Sequence, residues 1–138
     1  MLEREGEGWR LAWDGQRHPF AVLIGGENWA SELTAAEGQA LFRAMEALRD
    51  QHSALVGSLM EEETICLEFQ TCTEERGGEL WVALEGDRQD WMLRFVLQPG
   101  PGQRGLEGGW SRHAAAGFLQ AYSNLLAPAI QGPVTVDP

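Results

Sequence analysis

The chain has 138 residues, 43% of them hydrophobic and six of them Trp, so it is large enough for one folded domain and too apolar for an intrinsically disordered protein. Its net charge is −11 at pH 7, because the chain has 21 acidic residues but only ten basic ones, all of them Arg. This charge repels nucleic-acid phosphates and anionic membranes unless Arg residues cluster locally, so it disfavours nucleic acid and argues against a membrane as partner.

The N-terminus and the cysteines bear on localisation. Residues 1–7 are charged and lack the apolar core of a signal peptide, and no apolar run approaches the roughly 18 residues of a membrane span. Cys66 and Cys72, if they share a strand, lie roughly 20 Å apart at about 3.3 Å per residue, beyond the reach of a disulfide. We expect a cytoplasmic single-domain protein with an ordered core over about 8–127 and a loose tail at 128–138.

The first elements are predicted to form a hairpin. Trp9–Trp13 alternates as a half-buried strand does, Asp14-Gly15 supplies turn chemistry, and Phe20–Ile24 follows as a second strand. Gly25-Gly26 is expected to break or bend this strand, after which residues 27–33 continue as strand up to a helix.

The stretch from Thr34 to Met60 is predicted to be one long helix. Thr34-Ala-Ala-Glu37 is a capping box at its start, and Glu61–Glu63 is expected to end it, because carboxylates are unfavourable at a helix C-terminus. About 26 residues make a rod of roughly 40 Å, which needs a sheet to pack on. His52 lies within the apolar stripe, where a core or boundary histidine is expected rather than a ligand. The stripe consists of Leu41, Met45, Leu48, Leu55 and Leu59.

Three alternating segments follow the helix. Thr64–Cys72, Leu80–Leu84 and Trp91–Leu97 are each predicted to be a strand with one apolar face, and their short connections indicate an antiparallel meander.

The remainder completes the predicted fold. Pro99–Gly109 is expected to be a loop, and Ser111 is expected to be the N-cap of a second helix that ends before Pro128. The fold class is therefore α+β, with the order β-β-α-β-β-β-α. An antiparallel sheet of about five strands packs on the long helix and on the C-terminal helix.

Motifs of catalysis and ligand binding are weak. Gly100–Gly105 matches GxGxxG, but neither the required helix start nor a parallel partner strand follows. His18, His52 and His113 are scattered, and no Cys or His pair has zinc-ligand spacing. We therefore expect no catalytic residue, no metal and no cofactor.

The outer face of the predicted sheet is the most informative surface. Three explanations are open for it: burial by the C-terminal helix or the Gly-rich loop, a protein interface, or a platform for stacking bases. Alternation places on this face Cys66, Glu68, Gln70, Trp81, Ala83, Met92, Arg94 and Val96.

Five segments together resemble a family of small uncharacterised cyanobacterial proteins known only as a domain of unknown function. They are Gly8–Asp14, Phe20–Glu27, Trp29–Thr34, Leu59–Glu63 and Glu107–Trp110, and Leu-Ile-Gly-Gly-Glu is the most specific part. The resemblance implies a long helix against a curved antiparallel sheet, a fold likened to cystatin-like folds and to the single-strand DNA-binding domain of Whirly transcription regulators. It brings no catalytic residues.

The sequence thus predicts a non-catalytic binding module that engages a protein partner or itself through the outer sheet face or a strand edge. The residues proposed for this surface are Trp81, Met92, Arg94, Glu68 and Arg10, since aromatic residues, Met and Arg are enriched at interfaces. The alternative is Whirly-type binding of single-stranded nucleic acid, and a small-molecule or enzymatic domain is third.

Overall fold

The computed structural model describes residues 1–72, 78–98, 100 and 105–131. These residues form two four-stranded antiparallel sheets, one long helix and a C-terminal helical segment. The predicted α+β class is confirmed, with eight strands in place of about five. Most of the connection that follows Cys72 and most of the GxGxxG segment lie outside the described residues. Residues 132–138 lie wholly outside them.

The first sheet is a meander of four short strands. The predicted hairpin is present, although Phe20 lies outside its second strand and is 42% exposed. Residues 30–33 fold back antiparallel to the third strand after a turn in which the Gly26 N–H donates to the Trp29 carbonyl at 3.0 Å. In order, the strands are β1 (Leu2–Gly6), β2 (Trp9–Trp13), β3 (Val22–Gly25) and β4 (Ala30–Leu33).

β1 was absent from the sequence prediction, and it lies ahead of residue 8, where that prediction places the start of the ordered core. Its five residues are all exposed, so no apolar face marks it as a strand. Its register with β2, from Leu2 opposite Trp13 to Gly6 opposite Trp9, is what defines it.

The long helix, α1 (Ala35–Leu55), begins as predicted and ends early. The Glu37 N–H donates to the Thr34 hydroxyl at 3.1 Å and the Thr34 N–H donates to the Glu37 carboxylate at 2.9 Å, which confirms the capping box. A 3₁₀ turn over Val56–Ser58 follows, and it contains Gly57, a poor helix residue. The prediction of a helix up to Met60 was therefore wrong, and Met60 is 75% exposed.

The second sheet contains the predicted meander and one further strand. Its last strand pairs with the third from Leu93 opposite Trp110 to Leu97 opposite Leu106, so the predicted loop was wrong over residues 106–110. In order, the strands are β5 (Ile65–Cys72), β6 (Glu79–Gly86), β7 (Trp91–Gln98) and β8 (Leu106–Trp110).

The C-terminal segment consists of α2 (Ala115–Ala121), a wide π-type turn (Tyr122–Leu126) and α3 (Ala127–Gln131). The helix therefore continues past Pro128 and into the segment expected to be a loose tail. A proline ring clashes with the carbonyl four residues earlier in a regular α-helix, but here the preceding turn is wider, because the Ala127 N–H donates to the Tyr122 carbonyl.

The predicted N-cap of this segment was also wrong. The Ser111 carbonyl accepts the N–H groups of Ala114 and Ala115 at 3.0 and 2.9 Å, so Ser111 opens a turn ahead of α2. α2 itself starts without a side-chain cap.

One hydrophobic core joins both sheets and the helices. α1 packs on β5 and β6, while α2 packs on β2, β7 and β8. The sheets meet where the Trp29 indole N–H donates to the Gly109 carbonyl at 3.0 Å and the Trp110 indole N–H donates to the Gly25 carbonyl at 2.9 Å. The second sheet is thereby left with one face toward the core and one face outward.

Candidate functional site

The C-terminal helix does not cover the outer face of the second sheet. Its Phe118 stacks on Trp110 with ring centroids 4.0 Å apart, and Trp110 shares the inner face with Leu93 through their register. Side chains of that inner face are buried on β6 and β7, whereas the exposed residues on the other side include Glu68, Met92 and Arg94. Burial by this helix, one half of the first explanation for the outer face, is thus excluded; the Gly-rich loop, which is the other half, lies largely outside the described residues.

An open groove of about 730 Å³ runs along this face across β6, β7 and β8. We call it the outer groove. Such a volume is within the range of sites that hold a ligand or a partner's side chains, roughly 300–1,000 Å³. Its outward-facing lining consists of Trp81, Glu85, Met92, Arg94, Val96, Glu107 and Gly109, with Ser111 at one end.

Trp81 and Arg94 form one unit within the outer groove. They are diagonal neighbours on adjacent strands, because Trp81 lies opposite Val96 in the register. The Arg94 guanidinium carbon lies 5.3 Å from the Trp81 ring centroid, a cation–π contact worth roughly 0.5–1 kcal/mol at an exposed site. Arg94 also lies 3.7 Å from the Glu85 carboxylate, so its charge is already partly balanced.

Carboxylates dominate the charge of this face. Glu85 and Glu107 line the outer groove, and Glu68 is exposed on the neighbouring strand β5. The Cys66 thiol donates to the Glu85 carboxylate at 3.7 Å, and its pKa is raised by desolvation and then by the negative charge of Glu85. The surroundings of Arg94 are therefore acidic, and the thiol is held in its neutral form.

Four of the five residues proposed from the sequence lie on this face: Trp81, Met92, Arg94 and Glu68. Arg10 does not, because it lies on β2 in the first sheet, beside a smaller concavity of about 320 Å³ that Glu3, Glu5 and Leu23 also line. Alternation along a strand predicts the face of each residue but not the sheet that the strand joins.

Ala83 faces outward as predicted but is only 1% exposed. In the register it lies between Glu68 and Arg94, whose longer side chains flank it. The apolar part of the surface is thus Trp81, Met92 and Val96.

The sequence prediction missed Glu107, Gly109 and Ser111. They border the groove because β8 is a strand, and the loop prediction removed β8 from the sheet. The alternation of Leu106, Gly108 and Trp110 with Glu107 and Gly109 is a strand signal that the two glycines obscured.

A second polar cluster holds the β6–β7 turn. The buried His52 ring nitrogen Nε2 lies 2.7 Å from the Asp87 carbonyl, which agrees with the predicted core histidine. Arg112 bridges the carboxylates of Asp87 and Asp90 at 3.2 and 3.1 Å.

No group of three metal-ligating side chains occurs within the described ranges. Among these same residues, no helix is both long and apolar enough to cross a membrane.

Comparison with known proteins identifies the family. Residues 4–125 match the family model described as a domain of unknown function, DUF1818. The chain belongs to the DUF1818 family. No curated protein matches it.

The solved structures include a relative of this DUF1818 protein. It is a protein with unknown function, described as from the DUF155 family, of the cyanobacterium Prochlorococcus sp. NATL2A. The two are 37% identical with a TM-score of 0.78, over 89% of this chain and 97% of that chain. The predicted resemblance to a family of unknown function is confirmed, and the solved relative is cyanobacterial, while the likeness to Whirly or cystatin folds stays a prediction.

Proposed function

We propose that this DUF1818 protein is a non-catalytic protein-binding module, and that the outer groove receives an apolar side chain from a basic segment of a partner protein. The observation that carries the proposal is the outer groove itself, where Trp81, Met92 and Val96 lie beside the carboxylates of Glu85 and Glu107. Met92 is 39% exposed, so an apolar surface is available at the site.

The chemistry of the lining supports a basic partner segment that carries an apolar side chain. Aromatic residues and Met supply the apolar contact area typical of an interface, and an apolar side chain of the partner would be dehydrated against them. The flanking carboxylates favour Lys or Arg on either side of that side chain, and the net charge of −11 steers a basic partner toward this protein. The groove is carried by strands of one hydrogen-bonded sheet, so its lining is in place without a partner.

Single-stranded nucleic acid is the alternative occupant. A base that stacked on the face of Trp81 next to Arg94 would displace the guanidinium, and the phosphates would then meet Glu85 and Glu107. These contacts favour a basic protein over a polyanion.

The experiment is capture from native lysate with and without nuclease, with bound protein and bound nucleic acid both quantified. Wild-type protein is compared with Trp81→Glu and Met92→Lys, which remove the apolar surface of the groove. Met60→Lys is the matched control, because Met60 is 75% exposed and lies outside the groove lining.

The proposal predicts one defined basic protein that is retained by wild type and Met60→Lys after nuclease, and lost with Trp81→Glu and Met92→Lys. The melting temperature of each variant must match that of wild type. If Trp81→Glu unfolds the domain, the comparison rests on Met92→Lys alone. Recovery of nucleic acid alone, or of partners that nuclease removes, would overturn the proposal in favour of the alternative.

A further inference from the structure

The first strand of the second sheet has an open edge. The strand order is β5-β6-β7-β8, so β5 has a ladder partner on one side, and the described residues provide none on the other. At eight residues it is the longest edge strand in either sheet, and Ile65–Cys72 contains neither Pro nor Gly. A long regular edge of this kind is a template for pairing with another strand.

The inner face of β5 is incompletely covered. On β6 and β7 the core-facing residues, such as Leu84 and Phe95, are buried, whereas Ile65, Leu67 and Phe69 are each half-buried at the open edge. A strand added at this edge would cover apolar side chains of this face, Leu67 and Phe69 foremost, and would pair with the backbone groups of β5 that have no partner among the described residues.

We propose that the occupant of this edge is β5 of a second copy of the chain, paired antiparallel about a two-fold axis at Phe69. Side chains that lie opposite each other across two strands point to the same face of the sheet. A two-fold axis normal to the sheet must therefore lie midway between one residue and the same residue of the second copy. We call that residue the centre of the pairing. The two centres that keep seven residues of β5 paired are Glu68 and Phe69.

The negative charge of Glu68 favours Phe69 over Glu68 as the centre. Centring on Glu68 places two carboxylates directly opposite each other, which is unfavourable. Centring on Phe69 places Glu68 opposite Gln70 of the second copy, Leu67 opposite Thr71, and Cys66 opposite Cys72. Both cysteines are exposed and outside any disulfide in the single chain, and the Cys66 thiol would exchange its hydrogen bond to Glu85 for the intermolecular disulfide.

The resulting dimer has one continuous eight-stranded sheet. Its two outer grooves lie on the same face, and five inter-strand steps of about 4.8 Å put the two β7 strands roughly 24 Å apart. The dimer requires no ligand in the outer groove. A result that refutes the groove proposal would therefore leave the dimer proposal unaffected, and the reverse also holds.

The charge test uses Gln70, which is exposed and lies opposite Glu68 only in the proposed register. Sedimentation of the purified full chain should give a dimer of twice the 15.2 kDa chain mass. Gln70→Glu should weaken the dimer and Gln70→Lys should strengthen it, each by roughly two- to thirtyfold in dissociation constant, since two cross-strand pairs change per dimer.

The register test uses diamide, which accepts two electrons and two protons from a pair of thiols as they form a disulfide. Wild type should give a reducible dimer, whereas Cys66→Ser and Cys72→Ser should each give none, because like cysteines are roughly 20 Å apart across the two-fold axis. An equimolar mixture of the two variants, allowed to exchange subunits, should regain a single crosslink.

Three results would overturn the proposal. The chain could be a monomer at all concentrations up to about 1 mM, or the dissociation constant of the dimer could be the same for Gln70→Glu and Gln70→Lys. The third is a dimer in which the mixed Cys66→Ser and Cys72→Ser variants form no crosslink. Circular dichroism and thermal unfolding of each variant show that the exposed substitutions leave the single chain folded.

Discussion

At the scale of single residues, the buried hydroxyl of Tyr122 joins the C-terminal segment to α1. It donates to the Gly38 carbonyl at 2.6 Å, and its ring stacks on Phe42 with centroids 5.3 Å apart. Burial raises the pKa of the Tyr122 phenol well above its usual value, so the group stays protonated and acts as a donor.

Tyr122→Phe should therefore lower the free energy of unfolding by about 1 kcal/mol, because the ring stays and one buried hydrogen bond is lost. Urea denaturation at a fixed protein concentration measures the change. Phe20→Leu, at an exposed position, is the control that should leave stability unaltered. Equal stability of Tyr122→Phe and wild type would contradict the assignment.

Asp87 carries a pH-dependent contribution to the β6–β7 turn. Its carboxylate accepts the N–H groups of Gln89 at 2.9 Å and Asp90 at 3.2 Å, and it pairs with Arg112. These hydrogen bonds, the one from Gln89 first, hold the pKa of Asp87 below its ordinary value. The folded state thus binds the proton less tightly than the unfolded state does.

The sign of the effect follows from that difference. The stabilisation is present above the unfolded pKa of about 3.9 and is lost as the pH falls through the lower folded pKa. Asp87→Asn should melt below wild type at pH 7, and the gap in melting temperature should close in strong acid. Asp50→Asn, at an exposed helix site, is the control. A gap that stays constant with pH would contradict this account.

At the scale of elements, β8 depends on a glycine beneath a tryptophan. A Cβ built on Gly108 would lie 2.7 Å from the Trp29 ring, which donates to the next residue, Gly109. The same contact joins the two sheets.

Gly108→Ala should cost about 1–3 kcal/mol, because the added methyl displaces an aromatic ring that is held by a hydrogen bond. Gly57→Ala is the matched control, since a Cβ at Gly57 meets nothing within 4 Å, and it should not lower the free energy of unfolding. Thermal and urea unfolding of the two variants are compared. Equal effects of both substitutions would refute the role of Gly108.

The elements differ in how far the sequence specifies them. β5, β6 and β7 were predicted because an apolar face with a period of two runs through each one. β8 was missed because its glycines serve a contact with Trp29, about 80 residues away in the chain, and local propensity does not contain that contact. β1 was missed because a strand without a buried face leaves no periodic signal.

The same limits apply to the outer groove. Trp81, Met92, Arg94 and Glu68 were assigned to one face because neighbouring strands of a meander share their alternation. Arg10 was misplaced because alternation carries no information on which sheet a strand joins.

At the scale of the whole molecule, two features act together. In the proposed function, the net charge of −11 would attract basic partners from a distance, and the outer groove would offer them an apolar contact. A dimer through β5 would present two such grooves on one face, so that a partner with two basic segments of matching spacing would gain avidity.

Titration of the captured partner, once purified, against wild type, Met92→Lys and Met60→Lys is the most direct measurement of the groove's role. We expect Met92→Lys to weaken binding by at least about tenfold, the loss of roughly 1.4 kcal/mol of apolar and charge complementarity, while Met60→Lys binds as wild type does. Equal affinity for all three proteins would show that the partner binds elsewhere and would contradict the account.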